Sequence, residues 1–159
     1  MAIRTAVNRA LTAITALPTA AALVNGNLTL LTTATASSSA TLDFTSSINS
    51  TYDSYMFKFI NIHASATGNF TFQANAVGAS GFNETMTTTS FVAYHDESDS
   101  TTALEYNTGG DQAQATGFQM LNVSGGFDIE NSANLSGTLT LFNPSSTTFV
   151  KHFTHKNFN

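Results

Sequence analysis

Apolar and polar side chains alternate along most of this chain with the two-residue period of a strand. Leu42 and Phe44 alternate, and Tyr55, Phe57 and Phe59 alternate against Met56, Lys58 and Ile60, the pattern running on to Ile62. Phe70 and Phe72 alternate, as do Phe91 and Ala93, with Val92 and Tyr94 on the opposite parity. Further runs cover Phe118 to Val123, Leu135 to Phe142 and Thr147 to Thr154. Successive side chains of a strand point to opposite faces, so these runs predict strands. Clusters with turn chemistry separate them: Ala66-Thr67-Gly68-Asn69, Thr108-Gly109-Gly110-Asp111, Ser124-Gly125-Gly126 and Asn143-Pro144-Ser145-Ser146. About eight or nine short strands at regular intervals predict an all-β chain, an antiparallel β-sandwich of jelly-roll-like form.

Within this pattern Tyr55 to His63 is the strongest core candidate. Both parities are apolar apart from Lys58, so the strand is expected to be central and covered on both faces, with Tyr55, Phe57, Phe59, Ile60 and Ile62 in the core. Lys58 then needs a partner or a route to water. Ser136-Gly137-Thr138-Leu139-Thr140-Leu141 carries one apolar and one hydroxyl face, the pattern of a half-exposed sheet.

The first residues follow a different period. Ile3, Val7, Ala10, Ile14 and Leu17 are spaced four and three apart in turn, and Leu11 widens the seam into one face of an amphipathic helix. A helix this short is marginal alone, so it must dock on its own β-domain, on sister copies or on another protein. Pro18 ends it, because the residue before a proline is pushed out of the helical region. Met1 to Gly26 also imitates a secretory leader, but Thr12, Thr15 and Pro18 interrupt its apolar run, and a retained segment is the preferred reading. The expected organisation is an anchoring segment over residues 1–24, a Thr/Ser/Ala-rich linker or edge strand over 25–41 and a β-sandwich domain over 42–159.

Composition narrows what such a domain does. The chain has 159 residues, one domain's worth, and only 9% are charged against a typical fraction of about 25%. Its surface polarity therefore comes from neutral hydroxyl and amide groups. A net charge of -5, with only five Lys and Arg, leaves no cationic stripe to neutralise a phosphate backbone, so nucleic acid is not an expected partner. No apolar run is long enough to cross a bilayer as a helix, and no membrane partner is expected. Cysteine is absent, which removes disulfides, thiolate metal sites and thiol nucleophiles together.

Candidate chemistry is sparse. His95-Asp96-Glu97-Ser98-Asp99, with Asp111 not far along the chain, is the densest acidic cluster, and oxygen donors at that density suit Ca²⁺. The cluster lacks the glycine and the terminal bidentate glutamate of an EF-hand loop, so a solvated hairpin loop is preferred and no metal is expected. His152 and His155 stand three apart, which on a strand places them on opposite faces. None of the nucleophile-elbow, zinc-protease, phosphate-loop or dinucleotide motifs occurs, so neither catalysis nor a cofactor is expected. Asp96, Glu97, Asp99 and Asp111 remain candidates for contact loops, since exposed loops on a rigid scaffold carry recognition.

Three segments carry a resemblance. They are Ile48 to His63 (INSTYDSYMFKFINIH), Asp111 to Gln119 (DQAQATGFQ) and Leu141 to Phe153 (LFNPSSTTFVKHF). In order and spacing they resemble virion structural proteins of tailed bacteriophages, of tail or fibre type, especially of marine phages, over about residues 36 to 153. The resemblance implies a non-enzymatic β-rich part of the particle, surface-exposed and tail- or fibre-associated. Other virion proteins are its implied partners, with homotrimeric assembly and contact with a host surface glycan or protein. It brings no catalytic residues. A head decoration fits the same features, and a secreted bacterial lectin-like or adhesin module is the alternative from another class.

Overall fold

The computed structural model of this chain describes residues 28–122, 126, 129 and 133–158. The chain divides into two units, Met1–Thr35 and Ala36–Asn159. In the first, residues 28–35 form no regular element, and Leu28 and Leu30 are each 82% exposed. The expected N-terminal helix, with Ile3, Val7, Ala10, Leu11, Ile14 and Leu17, lies outside the described residues, as does Val123.

Among the described residues of the second unit every regular element is a strand. In chain order they are β1 (Ser54–Ile62), β2 (Thr71–Phe72), β3 (Met86–Thr88), β4 (Phe91–His95), β5 (Thr102–Tyr106), β6 (Gln112–Ala115), β7 (Gln119–Met120), β8 (Leu135–Phe142) and β9 (His152–Phe158). All ladders are antiparallel, and they nest. β4 pairs with β5, β3 with β6, β2 with β7 and β1 with β8, while β9 adds to the other edge of β8. The chain thus runs out along four strands and returns along their partners in reverse order.

Cross-strand partners share a face, so the register of β1, β8 and β9 stacks side chains in rows. The inner face carries the rows Tyr55–Leu141–Phe153, Phe57–Leu139–His155 and Phe59–Gly137–Asn157. Leu139 and Leu135 are fully buried and Tyr55 is nearly so. Aromatic edges close over this face: Phe44 meets Phe57 at 5.4 Å between ring centroids, Phe70 meets Phe59 at 4.8 Å and Phe72 meets Phe153 at 5.4 Å. Asn61 takes a left-handed conformation (φ 52°), its N–H donating to Ser136 Oγ, and the register shifts there. The extra residue changes parity, so Ile62 pairs with Leu135 and returns to the buried side.

Two expectations for this strand need correction. β1 lies at an edge of its sheet, with β8 in the centre, because among the described residues only one side of β1 is paired. Ile60 is 63% exposed rather than in the core, since it precedes the bulge and shares its parity with Met56 and Lys58. Tyr55 is buried, and Phe57, Phe59 and Ile62 are half-buried.

Other elements differ from the pattern for local reasons. Leu42 and Phe44 form no strand, and Phe44 is engaged by its ring instead. The last strand starts at His152 rather than Thr147. Ser146 Oγ accepts the N–H groups of Thr148 and Phe149, and Lys151 Nζ donates to the carbonyls of Ser146 and Phe149, so these residues fold on themselves first.

The short ladders are tied by buried amide side chains. Gln119, 1% exposed, donates from Nε2 to Gly110 O at 2.7 Å and Met120 O at 2.8 Å, and its Oε1 accepts from Thr88 Oγ1 at 2.6 Å. Thr88 Oγ1 accepts in turn from the N–H of Gln112. Gln73 Nε2 reaches the carbonyls of Glu84, Thr116 and Gly117, and Asn122 Oδ1 accepts from Phe70 N–H. Buried polar groups of this kind stabilise only when paired, and these are.

Candidate functional site

The β4–β5 hairpin has two faces with little cover. Phe91 stands opposite Tyr106, Ala93 opposite Leu104 and His95 opposite Thr102 on one of them. On this face Phe91 is 68% and Leu104 78% exposed, and the Phe91 and Tyr106 rings meet edge-on at 5.3 Å. An apolar face this open has released only part of its burial energy within the chain.

The acidic cluster caps the hairpin. Asp96 Oδ1 accepts the N–H groups of Ser100 and Thr101 at 2.8 and 3.0 Å, and Oδ2 accepts the hydroxyls of Ser98 and Ser100. Its N–H donates to Thr101 O, and its carbonyl accepts from Asp99 N–H. The Ser100 hydroxyl first, then the surrounding donors, hold the Asp96 carboxyl far below the usual carboxylate range. Asp99, in a left-handed conformation (φ 56°), meets His95 Nε2 at 2.8 Å. Asp96 therefore builds the loop and is spent on it. Glu97 and Asp99 are both exposed at the tip, Asp99 tied to His95 and Glu97 with no hydrogen-bond or ion-pair partner among the described residues.

Asp111 is engaged too. It accepts from Tyr106 Oη at 2.5 Å, a bond that raises the tyrosine's pKa by favouring its neutral, donating form. Gly110 belongs to the same loop: a Cβ there would lie 2.6 Å from Asn107 Nδ2 and 3.0 Å from Ser90 Oγ, so a larger residue would displace these two side chains. The four candidate contact carboxylates thus divide into Asp96 and Asp111, held by their own loops, Asp99, exposed at the tip but paired with His95, and Glu97, exposed there without a partner among the described residues.

The outer face of the β1–β8–β9 sheet carries a second arrangement. Its rows are Met56–Thr140–Thr154 and Lys58–Thr138–Lys156, with Ile60 and the pair Ser136–Phe158 beyond. Met56 is 49% and Phe158 64% exposed. Two of the chain's five cationic side chains therefore flank one threonine on a neutral, partly apolar face. Lys156 Nζ lies 5.0 Å from the Phe158 ring centroid, and neither lysine has a carboxylate within ion-pair distance among the described residues. The sequence pattern singles out Lys58 but not this pairing, which exists only through the register of strands distant in sequence.

Two open clefts complete the surface. One, of about 360 Å³, lies among Ser50, Tyr52, Asp53, Asn143 and Ser145 to Phe149; the other, of about 400 Å³, lies among Thr87 to Phe91, Gln119 and Lys151 to His155. His155 faces inward and His152 outward on β9, and burial pushes the His155 imidazole below its usual pKa. Among the described residues no three His, Asp or Glu side chains converge as a metal site. No protein-family model, curated protein or solved structure matches the chain.

Proposed function

We propose that this protein is a non-enzymatic structural component of a tailed-phage virion, surface-exposed, tail- or fibre-associated and built to assemble with copies of itself. The observation that carries the proposal is the amount of large apolar surface left in water by well-formed strands and their flanks. Phe91 (68%), Leu104 (78%), Ile60 (63%), Phe149 (71%), Val150 (78%) and Phe158 (64%) are all exposed. Single exposed apolar residues are ordinary, but several of these share one hairpin face or one sheet face, as surfaces awaiting a partner do. The low charge content agrees, since charged residues are depleted at the centres of interfaces. The three segments that resemble tail and fibre proteins supply the choice of particle.

The finer architecture belongs to the same proposal. A nested order of β1–β8, β2–β7, β3–β6 and β4–β5 is that of a long hairpin rolled over into two facing sheets, so we read the domain as a jelly-roll sandwich with β9 appended. The amphipathic residues Ile3 to Leu17 serve as the anchoring element, assembly is trimeric, and the exposed hairpin tips reach a host glycan or protein.

Light scattering of the full chain and of a form lacking residues 1–26 tests this. A trimer that falls to monomers on truncation supports both assembly and the anchoring segment. A monomer in both forms, at concentrations up to the millimolar range, refutes self-assembly.

A further inference from the structure

Resting on the self-assembly proposed above, we infer that the outer face of the β1–β8–β9 sheet is the socket for the acidic β4–β5 hairpin tip of a second copy. Lys58 and Lys156 stand in one row on either side of Thr138. With neighbouring strands about 4.8 Å apart, their Cα atoms are separated by roughly 9.6 Å. Glu97 and Asp99 are exposed on one turn, two residues apart, so their Cα atoms lie within about 7.6 Å of each other; Glu97 has no partner among the described residues, and Asp99 holds His95 through Oδ1, which leaves Oδ2 to face a lysine. Flexible lysine side chains bridge that difference easily.

The complementarity extends beyond charge. The lysine row is flanked by Ile60 and Phe158 on one side and Met56 on the other, all exposed. Behind the acidic tip the hairpin presents Leu104 and Phe91, exposed on one face. Complementary charges beside apolar surface divide the work of an interface: burial of the apolar side chains supplies affinity, and the charges fix orientation and register. Within the described chain no carboxylate pairs with either lysine, so the tip and the socket are not joined in one molecule.

The contact joins two different patches and is therefore heterologous. Repeated around an axis it closes a ring, and without closure it makes a filament. Either outcome suits a repeated part of a particle. With the β4–β5 tip engaged in the self-contact, the host-facing role proposed for the hairpin tips passes to the other exposed loops, that around Thr108 and Gly109 among them.

Charge exchange tests it in the full-length protein. Two variants, K58E/K156E and E97K/D99K, each place like charges across the contact, and the expected result is self-association weakened at least about tenfold in each. The quadruple variant K58E/K156E/E97K/D99K restores opposite charges and is expected to recover association. Circular dichroism melts confirm that each variant is folded; all four side chains lie at the surface, and E97K/D99K gives up only the exposed His95–Asp99 pair, which contributes little to stability, so melting is expected to stay near that of the parent. Parent-like association of both double variants would overturn the inference while leaving the assembly proposal standing. Weakened doubles without recovery in the quadruple variant would also overturn it. A parent that is monomeric throughout refutes the assembly proposal, and the socket with it.

Discussion

Gln119 gives the sharpest test of how this fold is held. Replacing it with Met keeps the length of the side chain and removes only its polar atoms. The Gly110 carbonyl, buried beneath the β5–β6 loop, then loses the donor at 2.7 Å, and the Thr88 hydroxyl loses the acceptor at 2.6 Å. A buried group left without its partner costs about 1–3 kcal/mol, so the two together cost roughly 2–6 kcal/mol. That is a large share of a domain stability of about 5–15 kcal/mol. Urea denaturation followed by circular dichroism reads the effect directly. At a slope of about 2 kcal/mol per molar urea, the midpoint is expected to fall by about 1–3 M. Q119M unfolding within about 0.3 M of the parent would mean that the amide network is incidental and that apolar packing alone joins the short ladders.

Other expectations follow from single positions. A Cβ on Gly137 would sit 2.4 Å from Lys156 O and 2.7 Å from Asn157 Cα, both backbone atoms, so Gly137→Ala must part β8 from β9; overpacking of this kind costs about 1–3 kcal/mol, and thermal melts should show it. Leu139→Ala empties a fully buried position in the central strand and should cost about 2–5 kcal/mol by the same denaturation assay. His155 is held below its usual pKa of 6.5, so the unfolded chain binds its proton first as pH falls. Its stabilising contribution is therefore full above about pH 6.5 and is lost as pH drops towards the folded value; denaturation midpoints at pH 7.5 and 5.5 should draw together in His155→Leu. An unchanged pH dependence in that variant would assign the effect elsewhere.

How much of this was legible in the chain differs element by element. β8 could be read residue by residue, because Leu135, Leu139 and Leu141 alternate with hydroxyl residues and a half-exposed strand leaves that imprint. β1 was legible as a strand but not as an edge, since apolar residues on both parities describe either a covered strand or one whose second face awaits another molecule. The bulge at Asn61 was hidden as well, and with it the outward turn of Ile60. β3 and β6 left almost no signal: Met86-Thr87-Thr88 and Gln112-Ala113-Gln114-Ala115 are polar, and hydroxyls of Thr87 and Thr88 receive backbone N–H groups of Gln114 and Gln112 where the ladder shifts register. Buried glutamines run against the ordinary preference of that residue for water, so Gln73 and Gln119 could not be picked out from their surroundings. Of the candidate contact residues the sequence located the loops but not their division of labour. Nothing in the order of residues says that Asp96 is consumed by its own turn while Glu97 remains free.

The nesting of the ladders also dictates an order of events as the chain folds. His95 and Thr102, the last pair of the innermost hairpin, are separated by a turn of six residues, whereas Ile62 and Leu135 of the outermost ladder bracket the entire middle of the domain. The entropy of closing a loop grows as (3/2)RT ln n, so closing the outer ladder first would cost about 2 kcal/mol more than closing the hairpin. Once β4–β5 has formed, each next ladder has only the short segments beside the previous one left to close. The molecule is therefore expected to zip outward from its middle with the β1–β8 ladder fastened last, while β8 and β9, joined by a short loop between Phe142 and His152, pair with each other independently of that order.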